Sequence, residues 1–353
     1  MVKGLKIGMK NKAIVILLLV CAAMLGFTTN NYFVITKEDV VLKIPKGFPK
    51  PYYKFKNNKL TPEVFLLGRK LFYDPILSKD SMISCSFCHQ RIAAFAHFDH
   101  PLSHGINGLI GKRNVPPLQN LIWQNSYMWD GGVNNLEVQP VSPITNPVEM
   151  DESIAHVITK LQRNPSYAAE FRLAFNDPEI TSERILKALA QFTGLMISAN
   201  SRYDKYMDGT DTFSVSEKNG LELFRAKCAS CHEEPLFTDN SYRNNGLKPD
   251  TALKDKGRGM ITGLEFDDYK FRVPSLRNIE MTYPYMHDGR FRKLKDVLNF
   301  YGSPENFYGN AAKEVYEIGK LSEQDKKDLY AFLLTLTDKT FIYDKRFIDP
   351  FMH

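Results

Sequence analysis

Two short segments of the chain place a pair of thiols and a histidine at the same Cys-x-x-Cys-His spacing. The residues are Cys85, Cys88 and His89 in "SCSFCHQ", and Cys228, Cys231 and His232 in "CASCH". Such a run allows zinc binding, disulfide exchange or covalent attachment of a c-type haem. In the third case the thiols add to the two vinyl groups of the haem, and the imidazole is then held against the iron.

The number and spacing of the cysteines favour haem. The chain has five cysteines, and all but Cys21 belong to the two copies. The thiol pairs of a zinc ribbon usually lie roughly 15 to 20 residues apart, whereas about 140 residues separate these two pairs. A thioredoxin-type motif requires neither a second copy nor the trailing histidine. The sequence therefore predicts two covalent haems, with His89 and His232 as axial ligands.

The N-terminal segment indicates export. Residues 1–12 carry four lysines and no acid, and an apolar run of about fifteen residues follows. That run is short for a membrane span and suits a secretory signal peptide, predicted over residues 1–29. The alternatives are an uncleaved membrane anchor and lipidation at Cys21, where Val20 replaces the small residue of a lipoprotein signal. We therefore expect a periplasmic protein.

Composition and charge exclude other function classes. The 353 residues suffice for two domains, and 43% hydrophobic with 24% charged residues is typical of a soluble globular protein. The formal charge of +6 falls to +2 once the four lysines of the leader are removed. A nearly neutral mature protein gives no sign of nucleic-acid binding.

Helical patterns surround both motifs. Thr61 is a predicted N-cap with Pro62 at the first helical position, ahead of the first motif. Ser214 and Glu217 predict a capping box at the start of a helix that reaches the second motif. Further helices are predicted for "DESIAHVITKLQ", "SERILKALAQFTGLMIS" and "SEQDKKDLYAFLLTLT". No alternating run of strand length competes, so the predicted fold class is all-α.

We divide the mature chain into two cytochrome c-like domains, residues 30–205 and 206–353, each with one covalent haem. The polar, turn-rich segment 200–213 is the predicted boundary. Residues 90–150 are rich in Gly, Pro and Asn. Long ordered loops of that kind usually line a site rather than build a core.

Several segments, in their order, resemble the bacterial diheme cytochrome c peroxidases and their relative MauG. Between about residues 60 and 337 they are "LGRKLFYDPILS", "SCSFCH", "GKRNVPPLQN", "MWDGGVNNLEVQP", "ITNPVEM", "CASCH", "FRVPSLRNIEMTYPYMHDGRF" and "LKDVLNFYG". The resemblance implies two all-α cytochrome c domains, a peroxidatic haem in the first, and a calcium ion near their interface.

For the first haem site the resemblance implies three side chains near the iron. Glu149 falls at the catalytic carboxylate, which can take a proton from one peroxide oxygen and give one to the other. Gln139 matches the pocket amide that hydrogen-bonds the bound oxygen. His104 matches a loop histidine that ligates this iron in the resting state of some members. Ligation by His104 and a solvated loop histidine both stay open.

The resemblance also assigns residues between the two haems. Trp129 matches the tryptophan that lies between the irons and can pass an electron, a role compatible with packing in a core. Trp123 has no such match and is assigned to packing. Calcium is implied at Asn114, Thr282 and Pro284, through an amide oxygen and backbone carbonyls, which are ligands that calcium accepts.

The sixth ligand of the second iron is a separate question. Many members have a methionine fourteen residues after the histidine matched by His287, whose own role is expected to be structural. Tyr301 stands at that place, and no methionine occurs between Met286 and Met352. MauG has a ligating tyrosine there. Three readings stay open: Tyr301 ligates the iron, Tyr301 only packs beside it, or Met281 or Met286 ligates instead.

Two enzymatic functions and one non-enzymatic function follow. The first is an exported peroxidase that reduces hydrogen peroxide to water with electrons from cytochrome c or a cupredoxin. The second is a MauG-like enzyme that uses peroxide to oxidise a partner protein through a high-valent diheme state. The third, a plain electron carrier, is disfavoured because a carrier needs no acid–base group such as Glu149. Family members are often dimers, so a homodimer is an expected assembly.

Overall fold

Helices supply almost all of the regular structure. The structure, a computed structural model, describes residues 35–352. Its α-helices are α1 (Pro62–Tyr73), α2 (Cys85–Cys88), α3 (Val141–Thr145), α4 (Ile154–Arg163), α5 (Pro165–Phe175), α6 (Ser182–Gly194), α7 (Arg202–Met207), α8 (Val215–Lys227), α9 (Gly259–Thr262), α10 (Leu294–Tyr301), α11 (Lys313–Glu317), α12 (Glu323–Leu334) and α13 (Lys339–Ile342). Two two-residue strands, β1 (Tyr242–Arg243) and β2 (Phe271–Arg272), pair antiparallel. The all-α prediction is confirmed, with this one small sheet added.

Short 3₁₀ turns complete the regular structure of the described residues. They lie at Phe55–Asn57, Pro75–Leu77, Arg91–Ala93, Ile106–Gly108, Leu121–Trp123, Glu265–Asp267, Pro304–Asn306 and Lys345–Phe347. Between residues 89 and 153 the chain holds only three such turns and α3. The prediction of long ordered loops in this stretch is confirmed.

The helix starts follow the capping signals of the sequence. The hydroxyl of Thr61 accepts a hydrogen bond from the amide of Val64 at 3.3 Å. At the start of α8 the Ser214 hydroxyl accepts from the Glu217 amide at 3.3 Å, and the Glu217 carboxylate accepts from the Ser214 amide at 2.7 Å. Both caps satisfy amides that have no partner inside the helix, which fixes where α1 and α8 begin.

The helix that precedes each motif packs against a later helix through a glycine. A Cβ on Gly68 of α1 would lie 1.9 Å from the carbonyl oxygen of Ala188 in α6. A Cβ on Gly220 of α8 would lie 2.0 Å from the carbonyl oxygen of Asp328 in α12. Neither pair of helices could approach so closely with a larger residue, so the two motifs are held by the same packing device.

Aromatic side chains fill the core beside each pair of helices. In the first, the ring of Phe192 lies 5.5 Å from Phe65 and 5.1 Å from Phe72. In the second, Phe224 lies 5.1 Å from Phe332 and 5.5 Å from Phe237. Rings at these distances and tilts add directional contacts to the burial of apolar surface.

The predicted boundary region and the chain end add two observations. Segment 200–213 contains α7, whose first turn is closed by a capping box between Ser201 and Asp204. Phe341 and Phe347, near the C-terminus, contact Phe95 of the first core at 5.7 and 5.9 Å. The division at residues 205 and 206 stays a prediction.

The leader lies outside the described residues, and so do the predictions for the signal peptide, the anchor and Cys21. Within residues 35–352 no helix is long and apolar enough to cross a membrane.

Candidate functional site

The first motif forms a short turn of helix that presents its histidine. Helix α2 consists of Cys85–Cys88, and the amide of His89 donates to the carbonyl of Cys85 at 2.9 Å. The Nδ1 atom of His89 lies 2.8 Å from the carbonyl oxygen of Phe95, to which it donates. That bond leaves Nε2 as the ring atom available to a metal. Burial lowers the pKa of His89 to about 4, so the imidazole stays neutral.

The second motif repeats this geometry. Cys228 follows α8, and the amide of His232 donates to the Cys228 carbonyl at 2.9 Å. The Nδ1 atom of His232 lies 3.0 Å from the carbonyl oxygen of Phe237. Burial lowers the pKa of this histidine as well. Both motifs therefore orient an imidazole through a carbonyl that lies a few residues later.

The four motif cysteines form no disulfide in the described chain. Burial raises the pKa of the Cys85 and Cys88 thiols, and of the Cys228 thiol, to about 12. Thiols that exchange disulfides have a lowered pKa and an electropositive setting. These surroundings do not suit a disulfide oxidoreductase.

Glu149 lies beside the first motif. A Cβ on Gly105 would lie 2.4 Å from the Cα atom of Glu149, and the amide of Ile106 donates to the Glu149 carbonyl at 2.7 Å. The pKa of the Cys88 thiol is raised by burial and then by the nearby charge of Glu149. Burial in turn raises the pKa of Glu149, against the opposing hydrogen bond from Asn146. The fold thus places a half-buried, readily protonated carboxyl group near Cys88.

Three histidines pack together in the loop that leads to Gly105. The ring of His104 lies 4.2 Å from that of His100 and 6.4 Å from that of His97. The carbonyl of His104 accepts from the thiol of Cys88 at 3.4 Å. The Nδ1 atoms of His97 and His104 are buried and have no hydrogen-bond partner among residues 35–352. His104 therefore lies at the motif, and its ligation of the iron stays a prediction.

The side chain of Gln139 contacts Met128, the residue that precedes Trp129 in the chain. The amide of Gln139 donates to the sulfur of Met128 at 3.6 Å. The indole N–H of Trp129 donates to the carbonyl of Asn114 at 2.8 Å, and the side chain is 8% exposed. By contrast Trp123 donates to the carbonyl of Pro49 and is buried in the core, as its assignment to packing predicted.

The second motif opens on a cavity with a mainly apolar lining. Its lining includes Trp129, Cys228, Cys231, His232 and Tyr301. The fold thus brings the predicted tryptophan, the predicted axial histidine and the predicted tyrosine to one cavity. Burial raises the pKa of Tyr301 to about 12, and a hydrogen bond from Asn245 partly opposes that effect.

Met286 lines the same cavity, and Met281 does not belong to its lining. Tyr301 is the last residue of α10, so the end of that helix determines the position of its side chain. Met286 lies in a loop with a backbone φ of 74°. Of the residues considered as sixth ligand, Tyr301 and Met286 line the cavity and remain candidates.

Arg272 supplies a test of whether a haem suits this cavity. Its side chain lines the cavity, is 5% exposed and donates to the carbonyl of Met128 at 3.4 Å. Among the described residues no carboxylate lies within ion-pair distance of it, and burial lowers its pKa. A buried guanidinium without a carboxylate is costly. The two carboxylates of a haem would supply the missing partner, so the lining fits that group.

The predicted calcium ligands lie on two segments that meet. The amide of Asn114 donates to the carbonyl of His287 at 2.7 Å, three residues after Pro284. The side-chain Nδ2 of Asn114 donates to the carbonyl of Pro101 at 3.0 Å, which leaves Oδ1 as its free acceptor. In residues 35–352 no group of three or more His, Cys, Asp or Glu side chains forms a metal site. A calcium site here would rest on neutral oxygens, including that of Thr282.

His287 has a structural setting. Its ring stacks on Phe271 with centroids 3.7 Å apart and planes 12° apart. Burial lowers its pKa to about 4, and Asp288 lies 3.9 Å from its Nε2 atom. The expectation of a structural role agrees with this packing.

The sequence did not predict an ion network next to Trp129 in which Arg113 contacts Asp130 and Asp255. Arg113 contacts Asp130 at 2.5 Å and Asp255 at 2.6 and 2.8 Å. Burial raises the pKa of Asp255, but the Arg113 guanidinium outweighs it and the net pKa is lowered. Arg113 and Asp130 flank Asn114 and Trp129 in sequence, which was the available signal. Asp255 lies 142 residues from Arg113, and nothing in its own segment marked it.

Comparisons with known proteins agree with this geometry. Residues 62–212 match the family model for di-haem cytochrome c peroxidase, and residues 217–337 match the model for cytochrome c. The methylamine utilization protein MauG of Methylorubrum extorquens is 36% identical over 307 residues, which cover 83% of this chain and 82% of that protein. The chain belongs to the di-haem cytochrome c peroxidase and MauG family.

Two further relatives support that membership of the di-haem family. The cytochrome c551 peroxidase of Nitrosomonas europaea is 33% identical over 275 residues, which cover 77% of this chain and 79% of that one. A solved structure of a MauG-like protein associated with microbial copper homeostasis is 31% identical, with a TM-score of 0.80. That match covers 88% of this chain and 99% of the other. The family consists of peroxidase-type oxidoreductases with two c-type haems, and this chain is one of them.

Proposed function

We propose that this di-haem enzyme reduces hydrogen peroxide to water with electrons from a small redox protein such as cytochrome c or a cupredoxin. The observation that supports it is Glu149, a half-buried carboxyl group with a raised pKa beside Cys88. One peroxide, two protons and two electrons give two waters. The haem of the first motif, when bound, supplies the iron at which the O–O bond is reduced.

The chain's own residues supply orientation and proton transfer in this proposal. Cys85, Cys88 and His89 would hold the first haem, and the bond from His89 Nδ1 to the Phe95 carbonyl leaves Nε2 available as a ligand. Glu149 takes a proton from one peroxide oxygen and returns it to the other, and burial, which raises its pKa, favours its protonated form more than in a free carboxyl group. Gln139 hydrogen-bonds the peroxide and keeps it in place.

The electron path runs from the second motif to the first. Cys228, Cys231 and His232 would hold the second haem, which would supply the place where electrons from the donor enter. Trp129 lines that haem's cavity, and its indole N–H is fixed by the carbonyl of Asn114. A held, oxidisable indole at this place is suited to pass electrons toward the first motif.

We also propose the remaining features that the family implies. Calcium is held by Asn114, Thr282 and Pro284 and stabilises the segment that carries Trp129. The protein is exported to the periplasm, by a cleaved signal peptide or on an N-terminal anchor, and acts there as a homodimer. His104 ligates the first iron in the resting state and leaves it on reduction.

A second candidate function rests on Tyr301. An oxygen ligand at the second iron stabilises its oxidised states and would favour a MauG-like oxidation of a partner protein with peroxide as the oxidant. The position of Tyr301 in the cavity of the second motif supports this alternative. The peroxidase remains the first choice because Glu149 beside Cys88 supplies the acid–base group that peroxide reduction requires.

The test is peroxide consumption by the purified two-haem protein, with and without reduced cytochrome c or cupredoxin. We expect consumption of one peroxide for two donor electrons, and none in a Cys85→Ala, Cys88→Ala variant that lacks the first haem. Absence of turnover in both the oxidised and the reduced protein would contradict the peroxidase. Donor-independent peroxide use that modifies an added partner protein would favour the second candidate.

A further inference from the structure

The amide of Asn245 lies between the two side chains that compete for the second iron. Its Nδ2 atom is 3.2 Å from the hydroxyl oxygen of Tyr301 and 3.5 Å from the sulfur of Met286. All three side chains line the cavity that also contains His232. One nitrogen with two hydrogens therefore contacts both candidate ligand atoms at once.

The orientation of this amide is set by its own loop. The Oδ1 atom of Asn245 accepts from the amide of Leu247 at 3.3 Å, which leaves Nδ2 as the atom that faces the cavity. The preceding Asn244 makes the same kind of turn with the amide of Gly246 at 2.9 Å. The carbonyl of Gly246 then accepts from the amide of Tyr308 at 2.8 Å. The loop thus presents a donor, and not an acceptor, to the second site.

We infer that Asn245 is a positioning residue that selects Tyr301 over Met286 as the sixth ligand of the second haem. The inference rests on the proposed haem site at His232 and on Tyr301 as its ligand. A thioether sulfur is a weak hydrogen-bond acceptor and a phenolic oxygen a stronger one. The donor therefore stabilises the arrangement in which the oxygen faces the iron and keeps its hydrogen bond.

Removal of the donor removes that preference. A hydrogen bond between neutral groups is worth roughly a twofold to tenfold change in an equilibrium constant. Met286 loses only a weak contact when Asn245 is changed, whereas Tyr301 loses the polar partner that holds its oxygen. We expect ligation to shift toward the sulfur in such variants.

The experiment compares Asn245→Asp and Asn245→Leu with wild type. Aspartate keeps the acceptor for the Leu247 amide but has no donor, and leucine removes both. In each we expect a methionine-to-iron charge-transfer band in the oxidised protein and a higher reduction potential of the second haem, because thioether ligation raises the potential. Asn244→Asp, one residue away and outside the cavity lining, is the matched control and should change neither.

A second change tests the identity of the new ligand. Asn245→Asp combined with Met286→Leu should lose the band while both haems stay attached. Unaltered spectra and potential in both Asn245 variants would overturn the inference. Loss of the second haem in both, with Asn244→Asp normally loaded, would also overturn it and show a structural role. A methionine band already in wild type would instead refute Tyr301 ligation, whatever the peroxide turnover.

Discussion

The two haem motifs share their local geometry and differ in what surrounds them. Each pairs a glycine-mediated helix contact with a histidine whose Nδ1 donates to a nearby carbonyl. Beside the first lie a half-buried carboxyl group, Glu149, and three packed histidines. Beside the second lie an apolar cavity, Tyr301 and the amide of Asn245.

This difference teaches that attachment and role are separate properties of the chain. The motif and its preceding helix hold a haem in both places. We propose that residues far along the sequence, such as Glu149 and Tyr301, give the two haems different roles, with an acid–base group beside the first and an oxygen ligand beside the second. On that proposal, a duplicated attachment site serves two different tasks in one protein.

The largest effect should come from Glu149→Gln, which removes the acid–base group from the first site alone. General acid–base groups contribute about 10²–10⁴-fold, so peroxide turnover should fall by that amount while both haems and the fold persist. Steady-state peroxide consumption measures this loss. Asp151→Asn, which removes only the exposed pair with Lys79, is the matched control. A loss below about tenfold would assign Glu149 to structure.

Arg113→Met should have the next largest effect, because it breaks the ion network that joins the surroundings of the two sites. Asp255 and Asp130 would keep their charges without a cation, which costs about 3–5 kcal/mol when a buried pair is broken. Chemical denaturation of the holoprotein measures this change. Lys313→Met, at an exposed pair, should cost less than about 1 kcal/mol. Equal effects would show that the network contributes no more than a surface pair.

Trp129→Phe should slow electron passage between the two sites without altering peroxide binding at the first. Phenylalanine preserves much of the packing but is harder to oxidise and lacks the N–H bound to the Asn114 carbonyl. Stopped-flow reoxidation of the fully reduced protein by peroxide measures the transfer step. Trp123→Phe, in the core beside Phe48, should leave that step unchanged. A rate unaffected by Trp129→Phe would remove the indole from the path.

Calcium removal should have a smaller effect, since the haems are covalent and the ion is not. Treatment with a strong chelator should lower peroxide turnover and leave both haems attached, with recovery when calcium is returned. Absorption spectra and an activity assay measure the two outcomes. Turnover indifferent to the chelator would remove Asn114, Thr282 and Pro284 from the functional residues.

The smallest effect concerns stability and pH. Because burial raises the pKa of Glu149, the folded state holds that proton more tightly than the unfolded chain, whose value is near 4.5. The stabilisation that protonated Glu149 gives the folded state is present below pH 4.5 and is lost as the pH rises through the raised pKa. The free energy of unfolding of wild type should therefore fall relative to that of Glu149→Gln. Unfolding of both proteins across this pH range measures the difference between their free energies of unfolding. A difference that does not change with pH would indicate that Glu149 is not desolvated.

Much of the fold could be predicted from local patterns. Thr61 with Pro62, and Ser214 with Glu217, marked the starts of α1 and α8 because capping is a contact between residues three apart. The histidines of the motifs were predicted because each directly follows its Cys-x-x-Cys pair. The small β1–β2 sheet was missed because two residues per strand form no alternating pattern.

The haem-attachment residues were predicted from their spacing, whereas the residues around them were predicted only through the resemblance to the di-haem family. Glu149 and Tyr301 would otherwise have been an ordinary loop acid and an ordinary helix-end tyrosine. The contact of Asn245 with Tyr301 spans 56 residues and that of Arg113 with Asp255 spans 142. Such contacts arise from the packing of distant segments, and no spacing rule in one sequence specifies them.

The carbonyls that orient the histidines of the two motifs lie close to them in the sequence. Phe95 and Phe237 supply them, and both residues have a left-handed backbone, with φ of 61° and 57°. The orientation of each histidine is therefore determined by a residue only six or five positions further along the chain. We therefore expect the orientation of each histidine to depend on contacts within its own segment and to persist when distant residues such as Glu149 or Tyr301 are changed.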